Sequence, residues 1–314
     1  MLDILIFLII GLAVLIKASE YVIGSSLEIS KILRISQFAV GFIVVSVATS
    51  LPELMVSIFS ALSGNPAIAV GNVIGANIAD MAWVFGVTAV LGAALFTKKS
   101  VIEDARILLF ISIVPLILII RGTIDRLDGI ILLVIFAMYC FHVKRSGNRV
   151  TKEMEVKYGG VKTFKTSLVF FASIVALLIA AAFVVQNAVA LANVLNLPQS
   201  FIGLSIVSVG TTLPELTVNI GAVRRKKNSL AIGNILGSCV ANLTMVLGTA
   251  AVITPIQIKS LVPLSSILFL IGVNLFVFLQ LRRRAISRTQ GAAMIVAYFL
   301  FIVAGAGLLT LWPN

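Results

Sequence analysis

Long apolar runs, each interrupted by only a few polar residues, follow one another along nearly the whole chain. Ten can be read, at roughly 2–27, 36–62, 67–96, 105–121, 127–143, 167–195, 199–223, 229–254, 260–281 and 290–312. Each is about 17 residues or longer, enough for a helix to cross a hydrocarbon layer about 30 Å thick. Lipid offers no partner to exposed backbone N–H and C=O groups, so every run is predicted to be helical. The pattern predicts an all-α polytopic membrane protein with about ten transmembrane helices.

The runs form two sets. Glu53 and Glu215 stand 162 residues apart, and the same offset relates Gly71-Asn72 to Gly233-Asn234, Gly75 to Gly237, Gly86 to Gly248, Gln37 to Gln199 and Gly41 to Gly203. It holds without a gap over about 50 residues. With five helices in each half, an odd number, the second copy enters the membrane from the opposite side. The expected architecture is therefore two inverted five-helix repeats, residues 1–143 and 166–314, joined by a basic linker at 144–165. Transporters built this way hold their substrate near the bilayer midplane, on interrupted helices between the repeats.

Composition agrees with a membrane protein: 60% of the residues are hydrophobic and 11% are charged. One soluble core could not hide that much apolar surface. The net charge of +12 does not point to nucleic acid, because the basic residues lie in short loops between apolar runs. With the N-terminus outside, the inner loops carry 20 Lys and Arg and the outer loops only Arg121, Arg126 and Lys259. The positive-inside rule thus predicts both termini outside, and the linker is read as inner-face charge that fixes topology and touches anionic lipid. Cys140 and Cys239 lie in apolar runs and are read as free thiols. The first run is read as a retained helix rather than a cleaved signal.

Two stretches break the apolar pattern at its most expensive places: Ser46-Val47-Ala48-Thr49-Ser50-Leu51-Pro52-Glu53 and Ser208-Val209-Gly210-Thr211-Thr212-Leu213-Pro214-Glu215. Ser46, Thr49, Ser50 and Glu53 fall at i, i+3, i+4 and i+7, on one helical face. Proline lacks an N–H, so Pro52 leaves the carbonyl of Ala48 without its helical donor, and Pro214 does the same to Gly210. Each stretch offers hydroxyls, a free carbonyl and a carboxylate, the hard oxygen ligands that Na⁺ and Ca²⁺ take. An ionised Glu at mid-bilayer costs about 3 kcal/mol or more on insertion scales, and a bound cation offsets that cost. The third and eighth runs add Gly71-Asn72-Val73-Ile74-Gly75-Ala76-Asn77-Ile78-Ala79-Asp80 and Gly233-Asn234-Ile235-Leu236-Gly237-Ser238-Cys239-Val240-Ala241-Asn242. Their glycines, four apart, let a neighbouring helix approach. Glu53, Asp80, Glu215 and Asn242 are expected to converge.

These paired segments resemble the two alpha-repeats of the Ca²⁺/cation antiporter superfamily, in its sodium/calcium exchanger branch. The resemblance covers most of the chain and is similar to a prokaryotic member. It implies that Ca²⁺ and Na⁺ compete for one cluster of sites on the second, third, seventh and eighth helices. It implies central carboxylates at Glu53 and Glu215, hydroxyl and carbonyl ligands at Thr49, Ser50, Thr211 and Thr212, and small carbonyl donors at Ser46 and Ser208. Asp80, Ser238 and Asn242 match the polar positions of the third and eighth helices. Ala48 stands for the usual glycine, Ala76 for a frequent serine, and the acid/amide pair is Asp80 with Asn242. The first and sixth helices are the implied movers.

The function read from this is a secondary antiporter, not an enzyme, exchanging Ca²⁺ for Na⁺ by alternating access in a prokaryotic plasma membrane. It needs no cofactor and implies no protein partner. The alternative driving ion is H⁺, to which Ala76 lends weight. A passive channel fits the inverted repeat less well. An intramembrane aspartyl protease would need two facing aspartates, yet the repeat partner of Asp80 is Asn242. No HExxH segment is present for a zinc protease. Lys17 and Glu20 are expected to form a local ion pair, or else to line an ion path; His142, the one histidine, is expected at an interface.

Overall fold

The computed structural model describes residues 2–33, 35–62, 66–92, 121–147, 160–194, 208–257, 264–283 and 286–311, with 106–107, 109–111, 113–114 and 117–118 between them. Helix dominates because each segment is apolar and must close its own backbone hydrogen bonds. Helix α1 spans Leu2–Leu33. The second segment is built in pieces: α2 (Gln37–Ala39), a π-helical turn (Val40–Val45), α3 (Ser46–Thr49) and α4 (Leu51–Leu62). The third comprises α5 (Pro66–Ile78), a π turn (Ala79–Val84) and α6 (Phe85–Gly92). Strand β1 (Thr123–Ile124) and α7 (Arg126–Gly147) follow.

The second half opens with α8 (Gly160–Val194), then α9 (Ser208–Thr211) and α10 (Leu213–Arg224). Its central segment is α11 (Asn228–Ala241), a π turn (Asn242–Val246) and α12 (Leu247–Ile253). Strand β2 (Ile256–Gln257), α13 (Leu264–Arg282) and α14 (Arg288–Leu311) complete it.

Among the described residues six helices are long and apolar enough to cross a membrane: Asp3–Leu33, Gln37–Phe59, Ala69–Gly92, Arg126–Arg145, Thr163–Val184 and Asn228–Ile253. Ser266–Arg282 and Arg288–Ala304 are shorter apolar helices. Much of the expected segment 105–121, and residues 199–207 of the seventh, lie outside the described residues. Helical structure also enters the expected linker from both sides, to Gly147 and from Gly160.

Burial ranks the spans. Ala69–Gly92 is 78% and Asn228–Ile253 83% buried, against 28–39% for the other four, so these two matched helices form the centre. Helices α1 and α8 pack antiparallel along their length: Phe7 meets Phe183 edge-on at 5.9 Å, and Gly11 leaves room for Val184. The two halves are also tied by a short antiparallel pairing, Thr123 with Gln257 and Ile124 with Ile256. Next to it Asp125 and Asp128 cap the start of α7 reciprocally. The Asp128 N–H donates to Asp125 Oδ1 and the Asp125 N–H to Asp128 Oδ2, both at 2.9 Å. Arg121 pairs with Asp128.

Candidate cation-binding site

The second segment does not run through its proline as one helix. It breaks at Ser50 (φ −81°, ψ 7°) and restarts at Leu51, so Pro52 lies in the first turn of α4. Proline suits that turn because its missing N–H would have no helical partner there. The other half repeats the break at Thr212 (φ −89°, ψ 3°), with Pro214 in the first turn of α10. Helices α4 and α10 are 12 residues each. Each break sets a carboxylate one turn beyond a hydroxyl-rich corner.

The predicted face of the first stretch is fully buried: Ser46, Thr49, Ser50 and Glu53 are each 0% exposed. In the second, Thr212 and Glu215 are buried and Thr211 is partly so. Ser208 begins α9, and its side chain lies outside the described residues. Asp80, Ser238 and Asn242 are buried as well. Asp80 lies in the π turn of the first half and Asn242 in that of the second. A π turn inserts one extra residue and re-aims the side chains around it.

Buried polar atoms are almost always paired, and here a whole set is not. Both carboxylate oxygens of Glu53, Asp80 and Glu215 lack a hydrogen-bond partner, as do Ser50 Oγ, Ser238 Oγ and both amide atoms of Asn242. Three of the other hydroxyls turn back on their own segments. Ser46 donates to the carbonyl of Phe42, Thr49 to Ser46 at 3.3 Å and Thr212 to Val209 at 3.0 Å.

The two halves meet at this point. The Thr49 hydroxyl faces Glu215, and the Thr211 hydroxyl faces Glu53; neither pair closes to a strict hydrogen bond. Thr49 also reaches Asn234 Oδ1 at 3.4 Å. Glu53, Asp80 and Glu215 stand near enough to repel one another. Among the described residues no three His, Cys, Asp or Glu side chains form a group that could hold a metal by themselves. The acids line a region from two facing halves, and one ion there would draw on hydroxyl, carbonyl and amide oxygens besides one or two carboxylates.

The structure adds contacts that sequence reading left out, and with them Ser57 and Asn219. Asn72 Nδ2 donates to the Glu53 carbonyl at 3.0 Å and to Ser57 Oγ at 3.1 Å. In the other half Asn219 Nδ2 donates to the Glu215 carbonyl at 2.8 Å. Ser57 and Asn219 are themselves 162 apart, so the same offset could have found them. Both devices hold the backbone under the central glutamate. The close helix approach predicted for the second glycine pair is present: a Cβ on Gly233 or Gly237 would strike the carbonyls of Phe38 and Phe42. Lys17 and Glu20 form the local pair, at 2.8 Å, away from this region and largely exposed. His142 is exposed and stacks near Tyr139, and both cysteines are free.

Unpartnered acids on matched, interrupted helices are the mark of a membrane carrier of cations. Comparison with known proteins agrees. The family described as sodium/calcium exchanger protein matches residues 4–144 and, separately, 165–305. The chain belongs to that family, and with it to the cation-exchange antiporters of the membrane. It is 27% identical to the sodium/calcium exchanger MaX1 of Methanosarcina acetivorans, over 95% of this chain and 97% of that protein. It is 29% identical to the inner membrane protein YrbG of Escherichia coli, over 81% of each. It is 27% identical to the putative antiporter CaxA of Alkalimonas amylolytica, over 93% and 95%. Its fold matches a solved structure of the sodium-calcium exchanger NCX_Mj with a TM-score of 0.84, at 24% identity, over 96% of this chain and 99% of that one.

Proposed function

We propose that this chain exchanges Ca²⁺ for Na⁺ across a prokaryotic plasma membrane by alternating access. The observation that carries the reading is the matched pair Glu53 and Glu215, buried and unpartnered, each faced by a threonine hydroxyl from the opposite half. The names of MaX1 and NCX_Mj favour Na⁺ and Ca²⁺ as the exchanged ions.

In this reading Ser46, Thr49, Ser50 and Glu53 supply oxygens from the first half, and Ser208, Thr211, Thr212 and Glu215 from the second. Asp80, Ser238 and Asn242 complete the set. Ca²⁺, which takes six to eight oxygens, sits between the two glutamates. Several Na⁺ share the same oxygens when Ca²⁺ has left. Either load neutralises the acids and lets α1 and α8 slide past them. An empty site keeps buried negative charge, which penalises an unloaded return.

The repeat, with residues 1–143 and 166–314 as two inverted five-helix halves and both termini outside, provides the two-sided symmetry that alternating access uses. Support for the repeat comes from the double family match, and from the π turns that hold Asp80 and Asn242 at equivalent places.

A second reading keeps the site and changes the driving ion to H⁺. It rests on Ala76, an apolar side chain where the other half has Ser238. Proteoliposome Ca²⁺ uptake under imposed Na⁺, K⁺ and H⁺ gradients separates the two. Uptake that follows the Na⁺ gradient supports the first; uptake driven by a pH gradient without Na⁺ overturns it.

A further inference from the structure

A cleft of about 690 Å³ opens between α1, the start of α8 and the end of α10. Lys17, Glu20, Glu28, Lys165 and Arg225 all line it, with Tyr21 and Val169 beside them. Two of these charges neutralise each other in the Lys17–Glu20 pair, and Glu28 is occupied by Lys31 at 3.0 Å. Lys165 and Arg225 form no ion pair among the described residues. Arg225 stands near enough for its charge to act on Lys17 and Glu20. The cleft therefore keeps two uncommitted cations.

What surrounds it is apolar and outward-facing. Phe164 is 71% and Leu168 58% exposed on α8, and Tyr21 54% on α1. In a membrane protein such side chains meet acyl chains. Lys165 lies in the first turns of α8, near the start of the apolar span Thr163–Val184, and Arg225 just past the end of α10, so both stand at the ends of their segments. That is the depth of lipid phosphates, and a basic pocket between helices at that depth suits an anionic headgroup. The repeat-related helix offers no second copy, since Ile179 and Ala182 stand on α8 where α1 has Lys17 and Glu20.

We infer that this cleft binds one anionic phospholipid. Its phosphate lies between Lys165 and Arg225, and an acyl chain runs over Val169 and Tyr21. The site is distinct from the cation region and does not depend on which ions are exchanged.

Native mass spectrometry of the full chain in neutral detergent tests this. The added probes are palmitoyl-oleoyl phosphatidylglycerol, phosphatidylcholine with the same chains, and inorganic phosphate. The expected result is retention of one phosphatidylglycerol in preference to phosphatidylcholine, undisturbed by millimolar phosphate. Lys165→Gln with Arg225→Gln lowers that affinity about 30-fold. Lys165→Arg with Arg225→Lys keeps it, and so does Arg282→Gln with Arg283→Gln, which removes two charges elsewhere. Equal retention of the two lipids, unchanged binding in the Gln pair, or displacement by inorganic phosphate would overturn the proposal.

Discussion

Gly129 and Gly248 meet backbone to backbone: a Cβ added to Gly129 would lie 2.7 Å from the Gly248 carbonyl oxygen, and one added to Gly248 2.8 Å from that of Gly129. Gly86 and Gly291 make the same contact, at 2.8 and 2.7 Å. Gly86 is matched to Gly248, and Gly129 to Gly291, each 162 residues on. One contact is thus the repeat image of the other, with the partners exchanged between halves. α12 is locked against α7, and α6 against α14. Close glycine crossings of this kind let helix backbones pack without side chains between them.

Valine at any of these four glycines must push two backbones apart. Gly129→Val and Gly86→Val are each expected to destabilise by about 1–3 kcal/mol, the usual penalty of overpacking. Gly272→Ala serves as the control, because a Cβ there meets nothing within 4 Å among the described residues. Thermal unfolding in detergent, followed by intrinsic fluorescence, reads both. A Gly129→Val melt equal to wild type would show that the crossing is loose.

Neutralising a central acid should separate function from stability. Glu53→Gln and Glu215→Gln keep shape and remove the charge, so Ca²⁺ flux in proteoliposomes is expected to fall at least about 100-fold, as loss of roughly 3 kcal/mol of ion binding implies. The ion-free variants should nevertheless melt at or above the wild-type temperature, because the repulsion among Glu53, Asp80 and Glu215 is relieved. Ca²⁺ at about 100 times its Kd stabilises wild type by about 2.7 kcal/mol; the variants should lose most of that gain. A fully active Glu53→Gln protein would remove the basis of the proposed function.

Asp80 and Asn242 hold equivalent places with different charge. Asp80→Asn alone removes one negative charge and is expected to weaken Ca²⁺ transport about tenfold or more. Asp80→Asn combined with Asn242→Asp restores the charge from the other half, and should recover much of the loss. Flux of the double variant no better than that of Asp80→Asn would mean that the two π turns do not face one ion pool.

The cap at the start of α7 predicts a pH effect. The Asp128 N–H bonds to Asp125 and holds its carboxyl below the usual aspartate value. A depressed folded-state pKa means that the unfolded chain takes up the proton first on acidification. The stabilisation is complete above the ordinary value of about 3.9, and it fades as pH falls toward the lower folded value. Asp125→Ala should therefore melt below wild type at pH 6, and the gap should narrow as pH falls below the ordinary aspartate value of about 3.9. A gap that persists at the acid end would assign the effect to packing.

The helical nature of the chain, its membrane class, the repeat offset and the buried acids were all legible in the sequence, because each rests on a local rule. A carboxylate within a long apolar run has to be explained wherever the helix packs. Ser46, Thr49, Ser50 and Glu53 share a face by their spacing alone, and that face is buried. The same 162-residue offset brought out Asn72 and Asn234, though not what they hold.

Other features depended on the assembled fold. The break falls at Ser50 and not at Pro52, because proline is accommodated in the first turn of a new helix and the chain bends before it. The π turns at Asp80 and Asn242 have no signature, since a one-residue insertion in a helix leaves its composition unchanged. Gly129 and Gly291 looked like ordinary glycines until their partners were known. The pairing of Thr49 with Glu215, and of Thr211 with Glu53, joins residues more than 150 positions apart. The sequence by itself determined which groups would be stranded in an apolar layer. Only the tertiary structure decided which of them face each other, because that depends on how the segments that carry them cross, a relation that no local spacing encodes.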